Sequence, residues 1–233
     1  MDVTGRIERA LTSALMATEA SPCPPKLANA LHAAVFPGGH RIRPKLCISV
    51  AMACGDRDPQ AADAAAAAIE LLHCGSLVHD DLPCFDDADL RRGLPSIHVA
   101  FGEPIAVLVG DTLIVSAFET IARGMARAPH RIGAMIRLIG SATGAPHGIC
   151  AGQAWESETT VPLSAYHRAK TGSLFAAATA AGALASGAKP EAWRGVGEKI
   201  GEAYQIADDI RDAVDTASSM GKPAGRDEAL NRP

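Results

Sequence analysis

The feature that most constrains this sequence is a run of apolar, alanine-rich chain that ends in a cluster of acids. PQAADAAAAAIELLHCGSLV at 59 to 78 leads directly into HDDLPCFDDADLRRG at 79 to 93. Alanine has the highest helix propensity, so the run predicts a buried helix from Pro59 to about Leu82. Aromatic residues, part of the vocabulary of strands, make up only 4% of the chain, and an all-α fold follows.

Further helices are predicted over Lys26 to Val35, Pro44 to Ala53, Pro104 to Arg127, His130 to Thr143, Leu163 to Ala185 and Glu191 to Val214. The run IAVLVGDTLIVSAF within the third of these is too long for a strand and reads as a buried helix. Gly/Pro punctuation falls at PGG (37 to 39), CGDRDP (54 to 59), RRGLP (91 to 95) and SGAKP (186 to 190), with Pro44 and Pro104 suited to a first helical position. No linker divides the chain, so residues 1–233 read as one domain.

A net charge of −4, from 22 basic and 26 acidic residues, leaves no basic stripe for nucleic acid and no polybasic membrane anchor. No uninterrupted apolar run reaches the roughly 20 residues of a membrane span. Six cysteines are scattered without a CxxC pair, and MDVTGRIERA lacks a signal-peptide core. A cytoplasmic protein with free thiols is expected.

Two acidic motifs carry the chemistry. The first holds Asp80, Asp81, Asp86, Asp87 and Asp89 ahead of Arg91 and Arg92; the second, YQIADDIRD at 204 to 212, holds Asp208, Asp209 and Asp212. On a helix Asp208 and Asp212 share a face, while Asp209 lies about 100° round. In the first motif an ideal helix would put Asp86 about 120° from Asp80 and Asp87 nearly in line, and Pro83 should distort that turn. Hard oxygen donors of this kind suit Mg2+, which takes one or two carboxylates and completes its octahedron from water and substrate phosphates. Solvated acidic faces are the plain alternative for either motif alone. Both interrupt apolar helices, however, and buried acids require cations.

A different metal chemistry is suggested by Glu70 and His73, a Glu-x-x-His pair of the di-iron type. That site needs a second such pair, and no other glutamate has histidine three residues later.

GGHRIRP, HCGSLVHDDLPCFDDADLRRG, GQAWESE, KTGSLF, YQIADDIRD and GKPAGRD, in this order from about Phe36 to Arg232, closely resemble the trans-prenyl diphosphate synthases, the family of bacterial farnesyl and geranylgeranyl diphosphate synthases. The resemblance implies an isoprenoid synthase-like helical bundle around a deep central cavity. It implies that Asp80, Asp81, Asp86, Asp208, Asp209 and Asp212 hold three Mg2+ ions and an allylic diphosphate (dimethylallyl, geranyl or farnesyl). Arg91, Lys170 and Lys222 match the cations on that diphosphate. Gly39, His40, Arg43, His73 and Arg92 match the site for isopentenyl diphosphate, and Thr171 and Gln205 match residues lining the reaction centre. A homodimer is also implied.

Gly75 and Ser76 lie five and four residues before Asp80, about one turn below the metals. In the family an aromatic at the Gly75 position accompanies farnesyl length, and its absence here predicts the twenty-carbon product, geranylgeranyl diphosphate. Farnesyl diphosphate synthase is the alternative, as is a catalytically silent regulatory subunit of the same fold, although that should have lost motif aspartates. A terpene cyclase would not need the second set of cations. Two departures stand out. His40 replaces the family's usual lysine, and the sequence stops at NRP after GKPAGRD, where the family continues into further C-terminal helices.

Overall fold

The alanine-rich run forms the central helix of the molecule. In the computed structural model, which describes residues 2–36 and 39–214 and omits the side chains of 209 and 211–214, helix α4 spans Pro59–Asp80. Asp58 caps it through a bond from the Ala61 N–H at 3.2 Å, and Pro59 opens its first turn. Ala61, Ala62 and Ala64 to Ala68 are buried, and their small side chains let neighbouring helices approach closely.

Around α4 stand α1 (Val3–Thr18), α2 (Pro25–Val35), α3 (Ile42–Ala53), α6 (Glu103–Gly124), α7 (Pro129–Thr143) and α10 (Ser173–Ala185), with α11 (Glu191–Val214) outside α10. Ile7, Leu11, Leu31, Ile69, Leu72, Leu113 and Ile121 fill the spaces between them, each burial contributing about 2 kcal/mol. Arg6 fastens α1 to the start of α4 through Asp56 at 2.6 Å, Asp63 and the Pro59 carbonyl at 3.0 Å.

The all-α expectation holds, and the local differences are informative. Helix α3 starts at Ile42, so Pro44 is its third residue; a first-turn N–H has no intrahelical partner in any case. Glu103 likewise precedes Pro104 in α6. Helix α1 is additional, capped by Asp2 through the Gly5 N–H at 2.8 Å, as are short helices α5 (Ile97–Phe101) and α8 (Ile149–Trp155). The segment from Leu163 to Ala185 is not one regular helix: after α9 (Leu163–His167) a π-helical turn occupies Arg168–Gly172 before α10.

RRGLP is a small hairpin, β1 (Leu90–Arg91) pairing antiparallel with β2 (Leu94–Pro95). Arg92 and Gly93 have φ of 55° and 77°, the two positive values of a type I′ turn. Among the described residues two helices, α4 and α6, are long and apolar enough to cross a membrane, with 78% and 44% of their apolar windows buried against the rest of the protein.

Candidate active site

Helix α4 ends at Asp80, so the ideal-helix angles do not describe the rest of the first acidic motif. The chain past Asp80 folds into a compact loop in which the Asp86 N–H donates to the Asp80 carbonyl at 2.9 Å and the Ala88 N–H to the Asp81 carbonyl at 3.1 Å. This fold brings Asp86 back to the end of α4. Asp81 is 3% exposed and Asp86 8%, which places both acids in the interior.

Their positive partners come from two other elements. The hairpin carries Arg91, whose Nε donates to Asp81 Oδ1 at 2.9 Å and whose Nη2 makes a second bond to the same oxygen. The π-helical turn carries Lys170, 3.7 Å from Asp80 Oδ1 and bound to Glu156. Burial works against the charge on Arg91, but hydrogen bonding to Asp81 and the charges of Asp81, Asp80 and Asp86 outweigh it and raise its pKa.

Sequence alone assigns Glu156 no role. It accepts from the Tyr166 hydroxyl at 2.7 Å, from Gln153 Nε2 at 3.2 Å and from Lys170. The acid in GQAWESE, fourteen residues before a lysine, was the available signal. Gly152 in α8 makes the approach possible, because a Cβ there would lie 2.4 Å from the Lys170 nitrogen. On the far side of the turn, Thr171 Oγ1 donates to Gln205 Oε1 at 2.6 Å and ties α11 to this wall.

The second cationic group lies along α3 and α4. Arg43 Nη1 is 3.3 Å from His73 Nε2, and the guanidinium stacks 4.5 Å over the Phe175 ring. Arg43 Nε is buried with no hydrogen-bond partner among the described residues. Burial, and then the charges of Arg43, Arg92, Arg91 and Arg41, hold the His73 pKa well below its ordinary value, so the ring is neutral. Gly39 packs against the Arg92 guanidinium, within 2.6 Å of where a Cβ would stand. The hairpin thus sends its adjacent arginines to different places, Arg91 to the aspartates and Arg92 to the GGHRIRP loop. His40 is exposed.

Asp208 is half-buried on α11, one turn beyond Tyr204. The side chains of Asp209 and Asp212, and all of Lys222, lie outside the described residues. Gly75 faces α6, where a Cβ would meet the Gly110 carbonyl at 3.2 Å and Leu113 Cβ at 3.4 Å, while the Ser76 hydroxyl donates to the His73 carbonyl at 2.8 Å. Glu70 is bonded to Arg41 at 2.9 Å, a commitment that leaves the di-iron reading without its glutamate.

Among the described residues no three His, Cys, Asp or Glu side chains are gathered as a ready metal cage. The donor set nevertheless fits Mg2+. Asp80, Asp81 and Asp86 offer only hard oxygens, two of these residues are buried, and the cations now balancing them are on side chains that can turn to a phosphate.

The polyprenyl synthetase family model matches residues 24–233. This chain belongs to that family. Among the polyprenyl synthetases it is 57% identical over 228 residues to a geranylgeranyl diphosphate synthase of Cereibacter sphaeroides, spanning 98% of this chain and 79% of the relative. It is 56% identical to one of Rhodobacter capsulatus, spanning 100% and 81%. Its fold matches the crystal structure of a Helicobacter pylori geranyltransferase complexed with magnesium and isoprenyl diphosphate, with a TM-score of 0.76, 29% identity and coverage of 96% of this chain and 80% of that one.

Proposed function

We propose that this polyprenyl synthetase condenses isopentenyl diphosphate head-to-tail with an allylic diphosphate, dimethylallyl, geranyl or farnesyl, and releases geranylgeranyl diphosphate. The observation that carries the reading is the division of the hairpin arginines: Arg91 joins the aspartate wall while Arg92 joins Gly39, Arg43 and His73. That division supports one diphosphate site served by metal and a second served by cations alone.

In this reading Asp80, Asp81 and Asp86 with Asp208, Asp209 and Asp212 hold three Mg2+ ions. Bound Mg2+ would neutralise the departing allylic diphosphate. Arg91, Lys170 and Lys222 orient that group, and the Gln205 and Thr171 oxygens direct their dipoles at the developing positive carbon. Arg43, His73 and Arg92, with Gly39 and His40, hold isopentenyl diphosphate so that its double bond faces that carbon. The final proton leaves with the released diphosphate, and no protein base is needed.

The twenty-carbon product is supported by the small residues Gly75 and Ser76 below the aspartates and by the high identity to two geranylgeranyl diphosphate synthases. A homodimer is supported by exposed apolar residues along α6, among them Val107, Leu108 and Val115. A single domain is supported by one core cluster shared by α1 to α7 and α10, and a cytoplasmic location by six free cysteines.

The test is incubation with radiolabelled isopentenyl diphosphate and each allylic primer, with and without Mg2+. A Mg2+-dependent C20 diphosphate is expected. A C15 product would move the assignment to farnesyl diphosphate synthase, a cyclised hydrocarbon to a cyclase, and no turnover to a silent subunit.

A further inference from the structure

Beside Arg43 and His73, where α1, α2, α3 and α4 meet, lies a buried charged pair. Arg41 and Glu70 have side chains only 2% exposed each, and Arg41 Nη1 donates to Glu70 Oε1 at 2.9 Å. The same guanidinium donates from Nε to Glu8 Oε1 at 2.9 Å and from Nη2 to the Val35 carbonyl at 2.8 Å. One side chain therefore joins α4, α1 and the end of α2 to the start of α3. Arg41 takes a left-handed conformation, φ 51° and ψ 38°, as the residue that opens α3. A residue with a Cβ rarely adopts it unless its surroundings hold it there.

The position of this pair relative to the cradle is specific. Glu70 and His73 are three apart on α4 and share a face, and Arg41 and Arg43 flank Ile42 at the start of α3. Arg41–Glu70 at 2.9 Å and Arg43–His73 at 3.3 Å are successive rungs between the same two helices. The loop residues Gly39 and His40 leave directly from the anchored arginine toward Arg92. Packing alone would not call for charges here, since apolar side chains of similar volume often stabilise as well as a buried ion pair. A forked guanidinium adds direction: it fixes the rotation and register of the α3 start.

We propose that Arg41 and Glu70 are positioning residues for the isopentenyl diphosphate site, setting the first turn of α3 on α4 so that Arg43, His73 and the Gly39–His40 loop converge on one diphosphate. This rests on the assignment of Arg43, His73 and Arg92 to that substrate under the proposed function.

The experiment uses the full chain with three variants, measuring kcat, KM for isopentenyl diphosphate, KM for the allylic diphosphate, and the thermal midpoint. Arg41→Met combined with Glu70→Leu removes both charges together, so no buried charge is stranded; Glu8, at the surface, rehydrates. KM for isopentenyl diphosphate should rise by about tenfold or more, with the allylic KM and the midpoint unchanged. Arg41→Lys, which keeps the charge and loses the fork, should shift KM in the same direction. Arg43→Gln is the control for the site itself.

An unchanged KM for isopentenyl diphosphate in the double variant, while Arg43→Gln raises it, would overturn the positioning role alone. So would an equal rise in both KM values with a fallen midpoint, the signature of a purely structural pair. If Arg43→Gln leaves that KM unchanged, the substrate assignment fails, and the inference fails with it.

Discussion

Asp81 and Arg91 are joined by a fork of hydrogen bonds, while the neighbouring Asp80 faces Lys170 at 3.7 Å. Adjacent aspartates thus stand in different surroundings: Asp81 hydrogen-bonds Arg91 directly, while Asp80 lies 3.8 Å from the same guanidinium and 3.7 Å from Lys170. Asp81→Ala removes the hydrogen bonds of Arg91 and leaves it the more distant charges of Asp80 and Asp86, and should cost about 2 kcal/mol of stability. Asp80→Ala should lower the melting temperature less than Asp81→Ala does and reduce turnover about a thousandfold. Thermal unfolding beside incorporation of labelled isopentenyl diphosphate separates the two, and matching midpoints for both variants would refute the distinction.

His73 links the second diphosphate site to pH. Its pKa is depressed by burial first and then by four arginines, so the folded ring stays neutral while the unfolded ring takes a proton below about its ordinary 6.5. Protons therefore favour the unfolded chain in that window. The contribution of His73 to stability is intact above 6.5 and is lost as pH falls from there toward the folded value, with a slope of up to about 1.4 kcal/mol per pH unit. Urea unfolding at about pH 7.5 and about pH 5.5 should show the loss, and His73→Gln should reduce it. An equal loss in both proteins would assign the acid sensitivity elsewhere.

What could be read from the sequence follows the range of the interactions. Helix α4 and its end in aspartates were legible because propensity and pattern are local, and the ordered motifs contain many of the side chains that the structure brings together. In the sequence the hairpin shows only as punctuation, since two-residue strands carry no periodicity and Gly93 alone marks the turn. The regular helix expected through Lys170 breaks into a π-helical turn whose surroundings include Gly152 and Thr171–Gln205, contacts from segments separated in sequence. Arg41 carries no signal in the sequence for a related reason. Its partners Glu8 and Glu70 lie 33 and 29 residues away, and a single sequence does not reveal such pairings.

The π-helical turn gives a third prediction. A Cβ on Gly152 would stand 2.4 Å from the Lys170 nitrogen and 2.5 Å from its Cα, so Gly152→Ala must push the turn away from α8. Lys170 then loses its place between Asp80 and Glu156, and kcat should fall about a hundredfold. The KM for isopentenyl diphosphate, whose assigned residues lie on α3, α4 and the hairpin, should hold. A variant with normal kcat would show that the turn does not need this close approach.

Product length tests the floor of the site. Gly75 and Gly110 let α4 and α6 come together, with a Cβ on Gly75 already 3.2 Å from the Gly110 carbonyl and 3.4 Å from Leu113 Cβ. A phenyl ring at 75 cannot remain in that seam without moving α6, so Gly75→Phe should cost about 1–3 kcal/mol through overpacking. The remaining outlet for the ring is along α4 beneath Asp80, across the path assigned to the growing hydrocarbon. Each added five-carbon unit gains several times about 0.8 kcal/mol per buried CH2 until it meets a wall; raising that wall by roughly a turn removes the gain for the last unit. Chromatography of the dephosphorylated products should show C15 replacing C20. If C20 persists in a variant whose melting temperature has fallen, the ring has entered the α4–α6 seam and the hydrocarbon descends along another face.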